Sequence, residues 1–163
     1  MTISYFGFAA TTTAEMMTAV CGTTPAMAGP AVLHGYRLVQ HTMPEICAAP
    51  PAPDRFDAGP ILSAVWGPSW KAPALVADPD AMVSGVLWHL TADEDALLRS
   101  WELDGSTWQS RRDVTVVHRG LLTPACTDVS WLTGGHPLPA GTVWGDDREA
   151  LLLHAARLRG ATV

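Results

Sequence analysis

Residues Val83 to Gly105 read V-S-G-V-L-W-H-L-T-A-D-E-D-A-L-L-R-S-W-E-L-D-G. The apolar, partly alternating run Val83 to Leu90 predicts a buried or half-buried strand. Thr91-Ala92-Asp93-Glu94 has the T-x-x-E spacing of a capping box, where hydroxyl and carboxylate each satisfy an orphan backbone donor. Leu97, Leu98 and Trp101 then fall on one face of a helix packed on that strand. Glu102 stands at the end of this helix, just before a turn at Asp104-Gly105. A carboxylate there opposes the helix macrodipole, which favours acids in the first turn. Glu102 is therefore a candidate for a task other than helix stability, the alternative being a solvated helix-end glutamate.

Composition bounds the rest. A chain of 163 residues with 48% hydrophobic and 16% charged residues has the makings of one domain, 1–163, with a substantial core. The net charge of −6, with no basic cluster longer than Arg111-Arg112, argues against a nucleic-acid partner. Three cysteines without a C-x-x-C pair point to free thiols in a reducing compartment. No apolar run approaches the length of about 18 residues that a spanning helix needs, and no basic leader precedes the first strand. A cytoplasmic protein with no membrane contact is the expectation.

Outward from the opening block, Ile3 to Phe8 predicts a short aromatic strand. Thr12 and Glu15 have capping-box spacing for a helix through Met16, Met17 and Val20 that stops at Gly22. The small-residue loop between them can present backbone N–H groups to an anionic ligand. Ala31 to Gln40 predicts a second strand with Gly35 marking a bulge or a close approach. Residues 44–60 read as a long Pro/Ala loop, Ile61 to Trp66 as a strand, and Ala72 to Ala77 as another, turned by Asp78-Pro79-Asp80. Downstream, Asp113 to His118 and Cys126 to Leu132 predict strands, and Gly141 to Trp144 is ambiguous. A last helix starts at Asp146-x-x-Glu149, carries Leu151, His154, Ala155 and Leu158 on one face, and meets Gly160 as a stop. Strands and short helices without β-α-β alternation give an α+β class.

Few motifs carry chemistry alone. His34, His41 and Glu45 have a spacing that fits no common zinc pattern, so no metal is expected. Ser69 lacks a nucleophile elbow, and the cysteines have no evident base. Five of the seven tryptophans lie between Trp66 and Trp108, where they either line a pocket for an apolar ligand portion or fill the core. Of Arg111 and Arg112, strand alternation lets one at most face a given site.

The order of these pieces resembles the gamma-glutamylcyclotransferase-like family. The aromatic strand, small-residue loop and helix, the G-Y-R-L strand, P-A-L-V-A-D-P-D-A-M-V-S-G-V-L-W-H-L-T and the helix ending in W-E carry the likeness, from about Ile3 to Val117. E-A-L-L-L-H-A-A-R-L-R-G looks like the family's C-terminal helix. The resemblance implies a small mixed β-barrel flanked by short helices and a cofactor-independent reaction. In that reaction the substrate's own α-amine attacks its γ-glutamyl carbonyl, giving 5-oxoproline and a free amine. It assigns Glu102 the proton relay of that intramolecular step.

The departures from the family pattern concern recognition. Where the family reads Y-G-S-N at the γ-glutamyl end, this chain has Phe8, Ala9, Ala10 and Thr11. Its E-G after the acid is stretched to Glu102-Leu103-Asp104-Gly105, and the downstream tyrosine is Trp108. The resemblance thus implies substrate contacts at Phe8, Ala9, Ala10, Thr11 and Trp108, with Trp66 along the pocket. The partner is a small-molecule substrate with a bulky apolar portion, such as a biosynthetic intermediate carrying a γ-glutamyl-type amide. Two other readings stay open: a different cyclisation or rearrangement on the same fold, and a non-catalytic module that binds a small ligand or a partner protein.

Overall fold

The computed structural model describes residues 1–144 and 147–161. Its strands close on themselves. β1 (Ile3–Gly7) pairs antiparallel with β3 (Lys71–Leu90) and parallel with β5 (Leu121–Ser130). β5 pairs with β4 (Gln109–His118), β4 with β2 (Ala26–Thr42), and β2 with β3. The ring β3-β1-β5-β4-β2-β3 is a mixed barrel with one parallel contact, and the two-residue β6 (His136–Pro137) adds to β2 outside it. Closure leaves no free edge within the ring. Phe6, Leu33, Leu38, Leu75, Val83, Leu87 and Val116 are among the residues of one buried cluster.

β2 and β3 form a hairpin far longer than the barrel needs. Its register shifts between His34 and Tyr36, where Gly35 has φ +84 and residues 78–81 bulge opposite it. Ala72–Ala77 and Val83–Leu90, expected as separate strands, are therefore two halves of β3. Beyond the bulge the hairpin carries α2 (Met43–Cys47) and α3 (Ala58–Trp66) on a core of Val39, Met43, Ile46, Leu62, Ala74 and Trp108.

Two expectations fail in this region. Residues 44–60 are not one long loop, because Thr42 and Glu45 close a capping box with Pro44 in the first turn. Ile61 to Trp66 is not a strand but the body of α3. Asp57 caps that helix by accepting from Gly59 N–H at 2.9 Å, Pro60 sits in its first turn, and Gly67 follows its end. The buried positions Ala58 and Leu62 are four apart, while Ile61 and Val65 face out.

The remaining helices flank the barrel. α1 (Ala14–Cys21) is capped by Thr13, not Thr12, and stops at Gly22 in the left-handed region. α4 (Ala92–Trp101) begins with the Thr91–Glu94 capping box that its sequence predicts. α5 (Arg148–Ala161) continues through Gly160, so that glycine is no stop, and Asp146 lies outside the described residues. α5 lies along α1, where Arg159 Nη1 donates to the Thr18 and Ala19 carbonyls at 3.0 and 3.1 Å and Arg148 pairs with Glu15. Among the described residues, all three cysteines are free thiols and no helix is long and apolar enough to cross a membrane.

Candidate active site

A cleft opens between the mouth of the barrel, α3 and α5. Its first wall is the turn after β1. Residues Ala9–Thr12 form one turn of 3-10 helix in which Thr11 Oγ1 accepts from Phe8 N–H at 3.0 Å. Thr11, Thr12 and Thr13 each donate their hydroxyl to the carbonyl three residues earlier, at 2.7 to 2.8 Å. The fully buried indole of Trp88 donates from Nε1 to Thr11 O at 2.8 Å and ties this turn to β3. Gly7 lets the turn fold back this closely, since a Cβ there would stand 2.3 Å from Thr11 O. The amides of Ala9 and Ala10 precede the first bond of the turn, Thr11 N–H to Phe8 O, and so have no partner within it.

The second wall is aromatic. Trp66 of α3 stacks on Trp70 with ring centroids 4.6 Å apart, and His154 of α5 meets Trp66 edge-on, also at 4.6 Å. Trp66, Trp70, Trp101 and Trp108 line the cleft, with His154 behind Trp66 in the neighbouring recess. Both roles left open for the tryptophans are thus occupied: Trp66, Trp70, Trp101 and Trp108 line the cleft, and Trp88 fills the core.

Glu102 lies among the lining residues, immediately after α4. Its Oε2 accepts from Gln109 Nε2 at 2.9 Å, and the same nitrogen donates to the Glu102 carbonyl at 2.6 Å. Gln109 itself is fully buried. Burial pushes the Glu102 carboxyl up to about 8, and the negative field of Asp128 adds to the rise. The Gln109 bond and the Arg111 charge oppose it without cancelling it.

Behind Glu102 is a buried ionic network. Arg111, 5% exposed at its side chain, donates from Nε to Asp128 Oδ1 at 3.0 Å and from Nη1 to Asp95 Oδ1 at 2.5 Å. Tyr5 donates its hydroxyl to Asp128 Oδ2 at 3.2 Å. Asp95 also pairs with Arg99, which reaches Asp104. Burial raises Asp128 as well, but two donors hold its carboxylate. The side-chain donor to the Glu102 carboxylate is the neutral Gln109 amide, whereas Asp128 is held by Arg111 and Tyr5.

The cleft brings together Glu102, Phe8, Ala9, Ala10, Thr11, Trp66 and Trp108. Two of its elements hold non-glycine residues in the left-handed region: Ala9 at φ +48 and Leu103, directly after Glu102, at φ +53. Such strain gathers where surrounding structure over-determines the backbone. Leu103 thus supplies, next to the acid, a conformation for which a glycine is suited, and Gly105 at φ +84 supplies another two residues on. Tyr5, Gln109 and Asp128 escape the sequence reading, which left Trp88 open between pocket and core. The one signal for Asp128 is a lone acid inside the apolar run Cys126 to Leu132. His34, His41 and Glu45 form no site: Glu45 is spent on its capping box, and His41 is buried with both ring nitrogens unpartnered. No group of metal-ligating side chains occurs among the described residues.

A scan against protein-family models finds no match, and no curated protein matches the sequence. Solved structures do match. One is a gamma-glutamyl cyclotransferase, with a TM-score of 0.61 and 13% identity, covering 98% of this chain and 81% of that one. A second is an uncharacterised human protein, at 0.59 and 13%, covering 98% and 80%. YkqA from Bacillus subtilis matches at 0.58 and 15% over 96% of this chain, which spans 49% of YkqA. At these identities the likeness is one of architecture, and the closed mixed barrel with its flanking helices has the gamma-glutamyl cyclotransferase fold.

Proposed function

We propose that the protein is an enzyme that cleaves a γ-glutamyl-type amide by intramolecular aminolysis, with Glu102 as the single acid/base. The substrate's amine attacks the γ-carbonyl, a C–N bond forms, and a five-membered ring closes through a tetrahedral intermediate. Glu102 takes the proton from the attacking nitrogen and delivers it to the leaving nitrogen as the amide C–N bond breaks. The products are a cyclic lactam, 5-oxoproline for a γ-glutamyl substrate, and a free amine. No water is consumed. The Ala9 and Ala10 amides offer donors to the developing oxyanion. Holding amine and carbonyl together supplies much of the acceleration, because ring closure is already unimolecular.

The observation that carries this reading is the presence of Glu102 among the lining residues of a cleft whose wall is the Phe8–Thr11 turn. A carboxyl raised to about 8 suits the task, since both protonation states are populated near neutral pH. A non-catalytic module predicts instead a solvated or ion-paired Glu102, and its partner is the neutral Gln109 amide.

The test is a panel of γ-glutamyl amines with apolar leaving groups, with 5-oxoproline read by mass spectrometry. Turnover by the wild type, lost in Glu102→Gln, is expected. No product with any member, or equal turnover by the variant, contradicts the proposal. A different lactam in the product spectrum identifies a different ring closure.

A further inference from the structure

The charge inventory of the cleft is one-sided. Among the described residues that line it, Glu102 is the only ionisable side chain. The other polar surface comes from the turn after β1, and the remainder is apolar or aromatic, with four tryptophans. The nearby guanidinium, that of Arg111, is committed to Asp128 and Asp95 through Nε and Nη1, and its Nη2 is buried away from any accessible surface. The chain's one lysine, Lys71, opens into a neighbouring, more polar recess with Gln40, Ser69, Asp147 and His154. That recess shares Ala10, Trp66, Trp70, Pro73 and Leu151 with the cleft.

Such a site treats the two charges of a γ-glutamyl end unequally. An ammonium gains from Glu102 and from the electron-rich faces of the tryptophans, while the Asp128 charge behind is offset by Arg111. A carboxylate on the next carbon meets no side-chain cation among the lining residues and lies beside an acid, and the donors of the turn, the Ala9 and Ala10 amides, go to the reacting carbonyl, so its desolvation is poorly compensated. From this asymmetry, and resting on the cyclotransferase reading above, we infer that the preferred substrate has a cationic amine without an adjacent carboxylate. The chemical class is an N-substituted 4-aminobutanamide with an apolar substituent on the amide nitrogen.

The chemistry is the same ring closure. The amine nitrogen bonds to the carbonyl carbon, and the bond from that carbon to the amide nitrogen breaks. The substrate's ammonium gives up two protons and the leaving nitrogen gains two, passing through Glu102, so that a pyrrolidin-2-one and a substituted ammonium are released. Charge and atoms balance without water, metal or oxidant.

The experiment compares two probes that differ by one carboxylate, 4-aminobutanoyl benzylamide and γ-glutamyl benzylamide, by benzylamine release and mass spectrometry. A kcat/KM at least about tenfold higher for the 4-aminobutanoyl probe is expected, with pyrrolidin-2-one as its product and loss of both activities in Glu102→Gln. Equal or faster 5-oxoproline formation overturns the inference while leaving the cyclotransferase reading in place. Product from neither probe removes both. Binding by tryptophan fluorescence supplies a readout apart from turnover. The 4-aminobutanoyl probe should bind the wild type more tightly than the γ-glutamyl probe, with that preference reduced in Glu102→Gln. An unchanged preference in the variant contradicts the role given to Glu102 charge.

Discussion

Glu102 joins stability and activity through one proton. Its carboxyl is raised to about 8 in the folded protein, against about 4.3 in an unfolded chain. Between those values the native state holds a proton that the unfolded state has lost, so stability falls as pH rises across that window and levels above it. The slope is at most about 1.4 kcal/mol per pH unit. Urea midpoints from pH 5 to 8.5 should fall for the wild type and stay flatter for Glu102→Gln. The same proton sets the rate profile, with kcat/KM rising toward a midpoint near pH 8 as Glu102 ionises. Gln109→Leu removes the donor that lowers this value, so the midpoint should move upward. A midpoint that stays put in that variant contradicts the assigned role of Gln109. Local sequence exposes Glu102 only as an acid on the wrong side of a helix dipole, and its role comes from the family resemblance. It gives no sign of Gln109 and marks Asp128 only as a lone acid in an apolar run, because their effect depends on a cross-strand neighbourhood.

At the scale of elements, the turn after β1 and the bent hairpin decide the shape of the cleft. The Trp88 indole bond to Thr11 O is the tie between the barrel and that turn. Trp88→Phe keeps most of the packing but leaves a buried carbonyl unpaired, at a cost of about 1–3 kcal/mol. Thermal melts should drop accordingly, and kcat should fall more than KM rises if the turn positions the reacting carbonyl. Ala9→Gly, in contrast, relieves a left-handed alanine at φ +48 and should raise the melting temperature, by about 0.5–1 kcal/mol equivalent. A lower one contradicts the strain. The Thr91–Glu94 box and the Gly35 bulge were readable because each is a local hydrogen-bond or backbone pattern. α3 was not, since a six-residue apolar run fits either a buried strand or a helix, and the deciding cap at Asp57 lies upstream of that run. The true α1 cap was missed for a similar reason: three consecutive threonines offer three spacings, and tertiary placement selects Thr13.

Across the whole molecule, the barrel provides a frame and the extended β2–β3 hairpin a second wall, with the cleft where they meet α5. His154 against Trp66 and Leu151 at the cleft mouth make that last helix part of the site. The order of strands and helices was legible as a resemblance before any pairing was known. The closed ring was implied only through it, because the parallel β1–β5 contact joins residues more than a hundred positions apart. The central claim is that this frame presents one carboxylate to an amine and an amide carbonyl in the same cleft. Mass-spectrometric detection of lactam and free amine, from wild type and Glu102→Gln side by side on γ-glutamyl and 4-aminobutanoyl amides, tests it most directly. The account predicts stoichiometric lactam and amine from the wild type and a loss of about 10²-fold or more in a variant that still folds. Equal rates for the two proteins, or no lactam from either amide, contradict it.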